Sequence, residues 1–182
     1  LADSGFEMVR YADDFVVLCR TREAAEAALS LVQSWVAQAG LTLHPTKTRI
    51  VDSRVDSFAF LGYEFRGEKR WPRKKSLQKL KDTVRSKTKR TNGDSLKCVI
   101  AQLNLTLRGW FGYFQHSDYR NVYVELDQWI RGRLRSILRK RHGGRGRGTG
   151  KDHLRWRNCF FADLGLFSLA AARTSACQSS RR

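Results

Sequence analysis

Two adjacent carboxylates, Asp13 and Asp14, stand between two short apolar runs near the start of the chain. The runs, residues 6–9 and 15–19, have the length and composition of β-strands, so the acids are predicted to lie in the turn of a β-hairpin. Adjacent carboxylates repel each other unless cations neutralise them, and oxygen-rich acidic sites suit Mg²⁺. Aspartate is also common in turns that bind nothing, so the pair alone leaves both interpretations open.

The charge of the chain is strongly positive and unevenly distributed. The net charge is +18: residues 1–66 contain 7 Lys/Arg and 9 Asp/Glu, whereas residues 67–182 contain 28 and 8. The first part therefore has a net charge of −2 and the second a net charge of +20. A basic region of this size is typical of nucleic-acid-binding proteins.

The spacing of the cysteines and histidines argues against two kinds of site. The four cysteines are far apart and form no C-x-x-C pair, and the four histidines have no metal-ligand spacing. Both observations argue against a zinc site, and the cysteines also argue against a disulfide framework, which favours a reducing cytosol. No apolar stretch approaches the roughly 18 residues that a membrane span requires.

The elements around the acidic pair are predicted from periodicity. Apolar residues at helical spacing after Thr21, which can cap a helix, predict an amphipathic helix that ends at Gly40. Residues 48–51 are predicted to form a short strand, and residues 58–65 a strand or the start of a hairpin. Strands, a helix and further strands indicate an α+β layer.

The basic part of the chain is predicted to be helical. A basic linker precedes three amphipathic helices joined by short turns, which form a small bundle. Ser76 is predicted to cap the first helix, and Asn104 and Gly109 to bend or split the second. In the third helix three arginines recur every four residues and predict a cationic stripe: Arg131, Arg135 and Arg139. Few acids offset this charge, so we favour nucleic-acid binding over a merely solvated face.

Five blocks of the sequence, in order from residue 6 to about residue 170, resemble the reverse transcriptases encoded by group II introns. The first two are Arg10-Tyr11-Ala12-Asp13-Asp14-Phe15, which resembles the palm signature, and Gly40-Leu41-Thr42-Leu43 with Lys47-Thr48. The third is Phe60-Leu61-Gly62-Tyr63, which resembles the primer grip. The fourth block resembles the maturase-specific thumb (domain X) and comprises Leu103-Asn104, Leu107-Arg108-Gly109-Trp110 and Tyr113-Phe114. The fifth lies in the tail and comprises Trp156, Asn158 and Gly165-Leu166-Phe167-Ser168-Leu169.

Two positions depart from the family pattern: Thr46 stands where Glu is frequent, and Leu105 where Pro commonly follows the thumb Asn. The resemblance implies an α+β fold with a partial palm (a β-hairpin, a helix and short strands) followed by a basic three-helix thumb. The implied segments are a palm part at 1–66, a basic linker at 67–75, the thumb at 76–141, a Gly/Arg-rich linker at 142–151 and a short tail at 152–182.

The resemblance also implies the chemistry of the palm, which is two-metal phosphoryl transfer with two Mg²⁺ ions. Asp13 is then expected to be the bridging metal ligand, and Asp14 the weaker ligand or an orienting charge. The residues expected near the primer end and the incoming nucleotide are Tyr11 and Ala12, with Leu61 and Gly62 in the primer grip. Lys47 is expected near the departing pyrophosphate, although a solvated loop lysine remains the alternative.

The implied partners are group II intron RNA, primer and template nucleic acid, and dNTPs, with no membrane; homodimerisation is left open. The residues expected to contact RNA are Lys79, Arg85, Lys87, Lys89, Arg90, Arg108, Arg131, Arg135 and Arg139. Such contacts read the shape and backbone of RNA more than its bases. The resemblance further implies a bacterial cytoplasmic protein associated with the nucleoid.

The chain begins at Leu1 rather than at Met, so we expect it to be the C-terminal part of a longer protein. The fingers and one further metal-binding aspartate would then precede Leu1, and the chain alone would be inactive. The alternative function is a non-catalytic RNA-binding maturase, or a degenerate relic, that uses only the basic thumb. Reverse transcriptases of retrons or diversity-generating elements share the palm blocks but lack this thumb signature.

Overall fold

The computed structural model describes residues 6–45, 47–146 and 148–179, and it divides into two compact units, Leu1–Lys69 and Arg70–Arg182. The predicted α+β fold class is confirmed, because small antiparallel sheets precede a helical region. The sequence departure noted at Thr46 and the ends of the first and last predicted segments (residues 1–5 and 180–182) lie outside the described residues.

The first unit opens with an antiparallel hairpin of β1 (Glu7–Tyr11) and β2 (Asp14–Leu18), in which Tyr11 pairs with Asp14. The helix α1 (Arg22–Gln38) follows and buries one face through Ala28, Val32 and Val36. It begins as predicted, because the Thr21 hydroxyl accepts a hydrogen bond from the backbone N–H of Ala24 at 3.2 Å.

A second hairpin consists of β3 (Phe58–Phe60) and β4 (Tyr63–Arg66), and β5 (Lys69–Pro72) is the third strand of that sheet. The rings of Phe58 and Phe65 stack across the hairpin with centroids 5.3 Å apart. The strand predicted at 48–51 is wrong: these residues have no regular structure, since the described residues provide no strand to pair with them.

The strand β5 lies inside the segment predicted to be a linker. Within the second unit, the Asp118 carboxylate accepts a hydrogen bond from the backbone N–H of Arg70 at 2.8 Å, and Asp118 N–H donates to Arg70 O at 2.9 Å. Trp71 also packs edge-on against Tyr119. These partners are 48 residues away along the chain and hold β5 in addition to its place in the sheet. The polar, basic composition of the segment did not predict a strand.

The described residues of the second unit form six further elements, all helices: α2 (Lys74–Lys87), α3 (Leu96–Phe114), α4 (Asn121–Arg141), α5 (Gly150–Arg155), α6 (Asn158–Asp163) and α7 (Leu169–Ser179). The core lies among α2, α3 and α4, and residues of the tail complete it, notably Phe161 and Leu169, which are both fully buried. The bundle is therefore closed by its own C-terminal tail. Within the described chain, no helix combines the length and apolar composition of a membrane span.

Three details of the helical prediction are corrected. The helix α2 begins at Lys74, two residues before Ser76, and its N-cap Arg73 makes no side-chain capping bond. The helix α3 runs unbroken through Asn104 and Gly109. The side chain of Asn104 bonds to the tail instead of to its own helix, so it does not compete with the helical backbone. Apolar residues of the tail around 156–172 predict one short helix, whereas the described residues there form α6 and the start of α7.

Candidate functional site

The turn of the first hairpin presents the two predicted metal ligands. Ala12 and Asp13 are the two residues between the paired Tyr11 and Asp14, and both carboxylates are exposed. Ala12 has φ +54°, as the tight turns of two-residue hairpins require. The Arg10 guanidinium reaches across the turn, where its Nε donates to Ala12 O at 2.8 Å. The turn therefore has a defined shape that displays both acids together.

This pair of carboxylates fits a divalent cation. Among the described residues, neither Asp13 nor Asp14 takes part in an ion pair or a side-chain hydrogen bond. Two exposed, adjacent and unneutralised carboxylates are the oxygen ligands that Mg²⁺ prefers. The described chain contains no group of three or more His, Cys, Asp or Glu side chains arranged to hold a metal, so the pair contributes two ligands and no more.

The turn of the second hairpin contains the predicted primer-grip residues. Leu61 and Gly62 connect the paired Phe60 and Tyr63, with φ values of +47° and +80°. Ala12 and Leu61 are the two non-glycine residues with positive φ in the described part of the chain. This conformation costs a non-glycine residue roughly 1–2 kcal/mol, and such strain is concentrated at functional sites. Both strained residues were predicted as site residues from their motifs.

Lys47 lies elsewhere in the first unit. It is exposed in the turn that follows Pro45, where its backbone N–H donates to His44 O at 3.2 Å. Among the described residues, no hydrogen bond or ion pair joins Lys47 to Asp13 or Asp14. The structure thus places four predicted residues in one turn, two in another, and Lys47 in the turn that follows Pro45.

The nine basic residues predicted to bind RNA differ in how their side chains are used. Lys79 and Lys89 are exposed and Arg131 is half-buried, and within the described chain their side chains form no ion pair or hydrogen bond. The Arg85 guanidinium pairs with Asp82 at 2.6 Å, and Lys87 Nζ donates to Gln102 O at 3.3 Å. Arg90 and Arg108 are exposed, but Arg90 also bonds to Gly146 O and the Arg108 guanidinium lies over the Phe167 ring.

The predicted cationic stripe on α4 is corrected, because Arg135 is buried. Its Nε donates to Trp156 O at 2.9 Å, its Nη2 donates to Asn158 Oδ1 at 2.8 Å, and its guanidinium lies over the Phe161 ring. This burial lowers the pKa of Arg135. Residues of the tail cover Arg135, so this part of the predicted nucleic-acid-binding stripe is an internal interface.

Arg139 also faces the tail. Its Nη1 donates to Asp152 Oδ2 at 2.7 Å and to Thr149 Oγ1 at 3.2 Å. The Thr149 backbone N–H donates to the same carboxylate at 2.6 Å and, together with the Arg139 guanidinium, lowers the pKa of Asp152 to about 2. Thr149 and Asp152 form a capping box that begins α5. Of the three arginines in the predicted stripe, two therefore hold the tail.

Comparison with protein families gives two matches in the order that the motifs predict. Residues 2–65 match the model described as "Reverse transcriptase (RNA-dependent DNA polymerase)", and residues 77–156 match "Group II intron, maturase-specific domain". The chain belongs to the group II intron-encoded reverse transcriptase/maturase family. The recognition made from the five motif blocks is confirmed. No curated protein matches the chain.

Membership of this family defines the general chemistry of the two units. The first carries a domain of the reverse transcriptase family, whose members use Mg²⁺, and the second carries a maturase domain. The two domains imply intron RNA and other nucleic acid as partners. The acidic turn lies in the first of these domains and the basic helices in the second.

The second unit, which carries the maturase domain and is called the maturase unit below, also contains polar contacts that the sequence did not predict. Asn104 on α3 donates to Gly165 O at 2.7 Å and accepts from Phe167 N–H at 2.8 Å, while the Arg108 guanidinium lies over the Phe167 ring. Two of the motif blocks, the thumb and the tail, are thus in direct contact. Arg133 Nε donates to Thr88 Oγ1 at 2.5 Å and ties α4 to α2.

Asp127 is the missed residue that the sequence could have revealed. It occupies an apolar-spaced position on α4, between the buried Tyr123 and Ile130, so a carboxylate there required a partner inside the fold. The partners are backbone and side-chain donors at the start of α7. Arg133 gave no such signal, since arginines occur on every face of α4.

Proposed function

We propose that this protein is an RNA-directed DNA polymerase and intron maturase that binds group II intron RNA, assists its splicing and reverse transcribes it. One observation carries the proposal: an exposed, unneutralised Asp13–Asp14 pair on a structured turn of a reverse transcriptase domain, in the same chain as a maturase domain with a large excess of basic residues. An acidic turn for metal ions and a basic surface for RNA are the two parts that such an enzyme needs.

The proposed reaction is nucleotide addition to a primer. The primer 3′ hydroxyl attacks the α-phosphorus of a dNTP, the bond to the β-phosphate oxygen breaks, and pyrophosphate leaves. Bound Mg²⁺ ions would lower the pKa of the hydroxyl and neutralise the charge of the leaving group. Asp13 is proposed to bridge the two ions and Asp14 to bind more weakly. The two carboxylates do not complete such a site, so the reaction requires at least one further acidic ligand.

The other palm residues are proposed to position the substrates. Tyr11 and Ala12 would face the primer end and the incoming dNTP, because they share the turn with Asp13 and Ala12 is small enough for close approach. Leu61 and Gly62 would hold the primer backbone through the turn of the second hairpin, in which both have positive φ. Lys47 would stabilise the departing pyrophosphate, for which its exposure supplies the necessary access.

The maturase unit is proposed to hold structured RNA through phosphate contacts. The exposed or half-buried cations Lys79, Lys89 and Arg131 are the strongest candidates, since their charges are not used inside the fold. Additional contacts would come from the partly engaged residues Arg85, Lys87, Arg90 and Arg108. Arg135 and Arg139 are proposed to act indirectly, by holding the tail against the bundle.

A second candidate function is a non-catalytic maturase that uses the basic helices alone. The observation that favours it is that the described residues supply two metal-binding carboxylates, without a third nearby. On this alternative, Asp13 and Asp14 would be inherited from a polymerase ancestor and would have no catalytic role. The RNA contacts would be the same as those proposed for the polymerase. The two functions therefore differ in DNA synthesis and agree in RNA binding.

The test measures both activities in one preparation of the full reading frame that contains this chain. RNA-templated primer extension is assayed with Mg²⁺ and with EDTA, and binding of a group II intron transcript is followed from 50 to 200 mM salt. We expect Mg²⁺-dependent DNA synthesis, and an affinity that falls roughly 10³–10⁵-fold if six to ten phosphates are contacted. Binding without synthesis would favour the non-catalytic maturase. Binding that is independent of salt would contradict the phosphate contacts.

A further inference from the structure

A cationic cavity lies in the second unit, where the end of α2 meets the loop after α4. Its volume is about 470 Å³, and its charged lining residues are Lys89, Arg90, Lys140 and Arg145. The remaining lining residues are Thr91, Gly144 and Gly146, so no acidic or aromatic side chain is among the described residues that line it. Four cations are thus concentrated around one space without an acid to neutralise them.

The loop that forms one wall of this cavity is held in a defined conformation. Arg90 Nη1 donates to Gly146 O at 3.0 Å, Arg139 Nε donates to Arg145 O at 2.8 Å, and Gly144 N–H donates to Arg139 O at 2.8 Å. A Cβ at Gly144 would lie 2.6 Å from Arg139 Cγ, and Gly146 has φ +79°. Glycine is therefore required at both positions, and the resulting loop carries Arg145 to the cavity.

The lining determines the chemical class of the ligand. Like charges that line one cavity repel each other, so they favour a compact anionic ligand. Lys and Arg both bind phosphate through charge-assisted hydrogen bonds, and the Thr91 hydroxyl adds a neutral donor. The absence of aromatic residues from the described lining removes the platform on which nucleic-acid bases would stack. The cavity is suited to a phosphate group and not to a base.

We propose that this cavity is a binding site for a single phosphate group, supplied in the working protein by the backbone of the bound RNA. The proposal rests on the proposed function, which it deepens by assigning Lys140 and Arg145, together with Lys89 and Arg90, to one phosphodiester. A free phosphate compound has the same chemistry, so the experiment must distinguish the two sources.

The test compares two triple variants of equal charge change. The cavity variant is Lys89→Gln, Lys140→Gln and Arg145→Gln, which leaves Arg90 in place because its guanidinium also holds Gly146. The control variant is Lys97→Gln, Lys151→Gln and Arg157→Gln, three exposed residues outside the cavity. Binding of an intron RNA transcript is measured against salt, and thermal stability is measured with and without inorganic pyrophosphate.

The cavity variant is expected to bind RNA about tenfold more weakly at low salt and to reduce the slope of log K against log salt by about 1, the value for one phosphate contact. The control variant should leave that slope closer to the wild-type value. A reduction of about 2–3 would indicate separate phosphate contacts and overturn the single-phosphate site.

Further outcomes distinguish RNA from a free phosphate compound as the source of the phosphate, and the cavity proposal from the proposed function. An unchanged RNA slope, with pyrophosphate stabilising the wild type and not the cavity variant, would retain the phosphate site and assign it to a free phosphate compound. No effect in either assay would overturn the site while leaving RNA binding by the wild type intact. If the wild type itself bound RNA without salt dependence, the proposed function would fail. The pyrophosphate assay would still test whether the cavity binds a phosphate group.

Discussion

The buried carboxylate of Asp127 on α4 caps the start of α7, where it bonds to Ser168 and to the first N–H groups of the helix. Asp127 Oδ2 accepts from the Ser168 hydroxyl at 2.7 Å and from Ala170 N–H at 3.2 Å, while Oδ1 accepts from Leu169 N–H at 3.0 Å. A negative charge at a helix N-terminus is favourable, because the first N–H groups of the helix lack partners within it. The tail is therefore attached to the maturase bundle by specific polar contacts as well as by apolar packing.

Replacement of Asp127 should loosen the tail. In Asp127→Ala the Ser168 hydroxyl and two backbone N–H groups lose their acceptor, so we expect the free energy of unfolding to fall by roughly 1–3 kcal/mol, as measured in urea. Limited proteolysis should show faster cleavage around residues 164–169. Asp163→Ala is the control, because that carboxylate is exposed. Equal stability of the two variants would refute the capping role.

Arg131 and Arg135 should respond in opposite ways to loss of charge. Arg135→Gln removes hydrogen bonds to Trp156 and Asn158, so we expect a destabilisation of roughly 1.5–3 kcal/mol with little change in the salt slope of RNA binding. Arg131→Gln should change stability by less than about 0.5 kcal/mol and lower that slope by about 1. A reversed pattern would restore Arg135 to the RNA-binding surface.

Asp152 should add a pH-dependent contribution to stability. The pKa of its carboxyl is lowered from 3.8 to about 2 by the Thr149 N–H and the Arg139 guanidinium, so the folded state favours the ionised form. The contribution is present above pH 3.8 and is lost as the pH falls towards 2. We therefore expect Asp152→Asn to be less stable than the wild type at pH 7 and nearly equal to it at pH 2. A stability difference that persisted at pH 2 would contradict this explanation.

Gly144 should be intolerant of a methyl group. The added Cβ in Gly144→Ala would meet Arg139 Cγ at 2.6 Å and Arg139 O at 3.1 Å, and neither is the free end of a flexible side chain. We expect a loss of roughly 1–3 kcal/mol in unfolding free energy, from overpacking. Gly93→Ala is the matched control, since a Cβ there meets nothing within 4 Å. Similar unfolding midpoints for both variants would show that the loop adjusts freely.

Local sequence signals predicted the parts of the fold whose partners are near in the chain. The Asp13–Asp14 turn follows from two apolar runs on either side, and α1 follows from its spacing and from the Thr21 cap. The resemblance to the primer grip singled out Leu61 and Gly62, although it did not predict the turn that they form. The acidic and basic halves were visible from charge alone.

The features that were missed depend on distant partners. Arg70 of β5 bonds to Asp118, 48 residues away, and Arg135 is buried because Trp156 and Asn158 lie against it. A periodic arginine on a helix has the same sequence pattern whether it faces water or a covering segment. Asp127 also has distant partners, but its sequence position carried a signal, since an acid at an apolar position requires an internal partner.

Asp13→Asn tests the central claim of this account most directly. In the full reading frame, Mg²⁺-dependent DNA synthesis on an RNA template is measured beside binding of the intron transcript, with Asp56→Asn as a control because Asp56 is also an exposed aspartate of the first unit. We expect Asp13→Asn to reduce synthesis to background, since a neutral amide is a poor ligand for Mg²⁺, while RNA binding stays near the wild-type level. Near-normal synthesis by Asp13→Asn would contradict the assignment of this turn as the metal site.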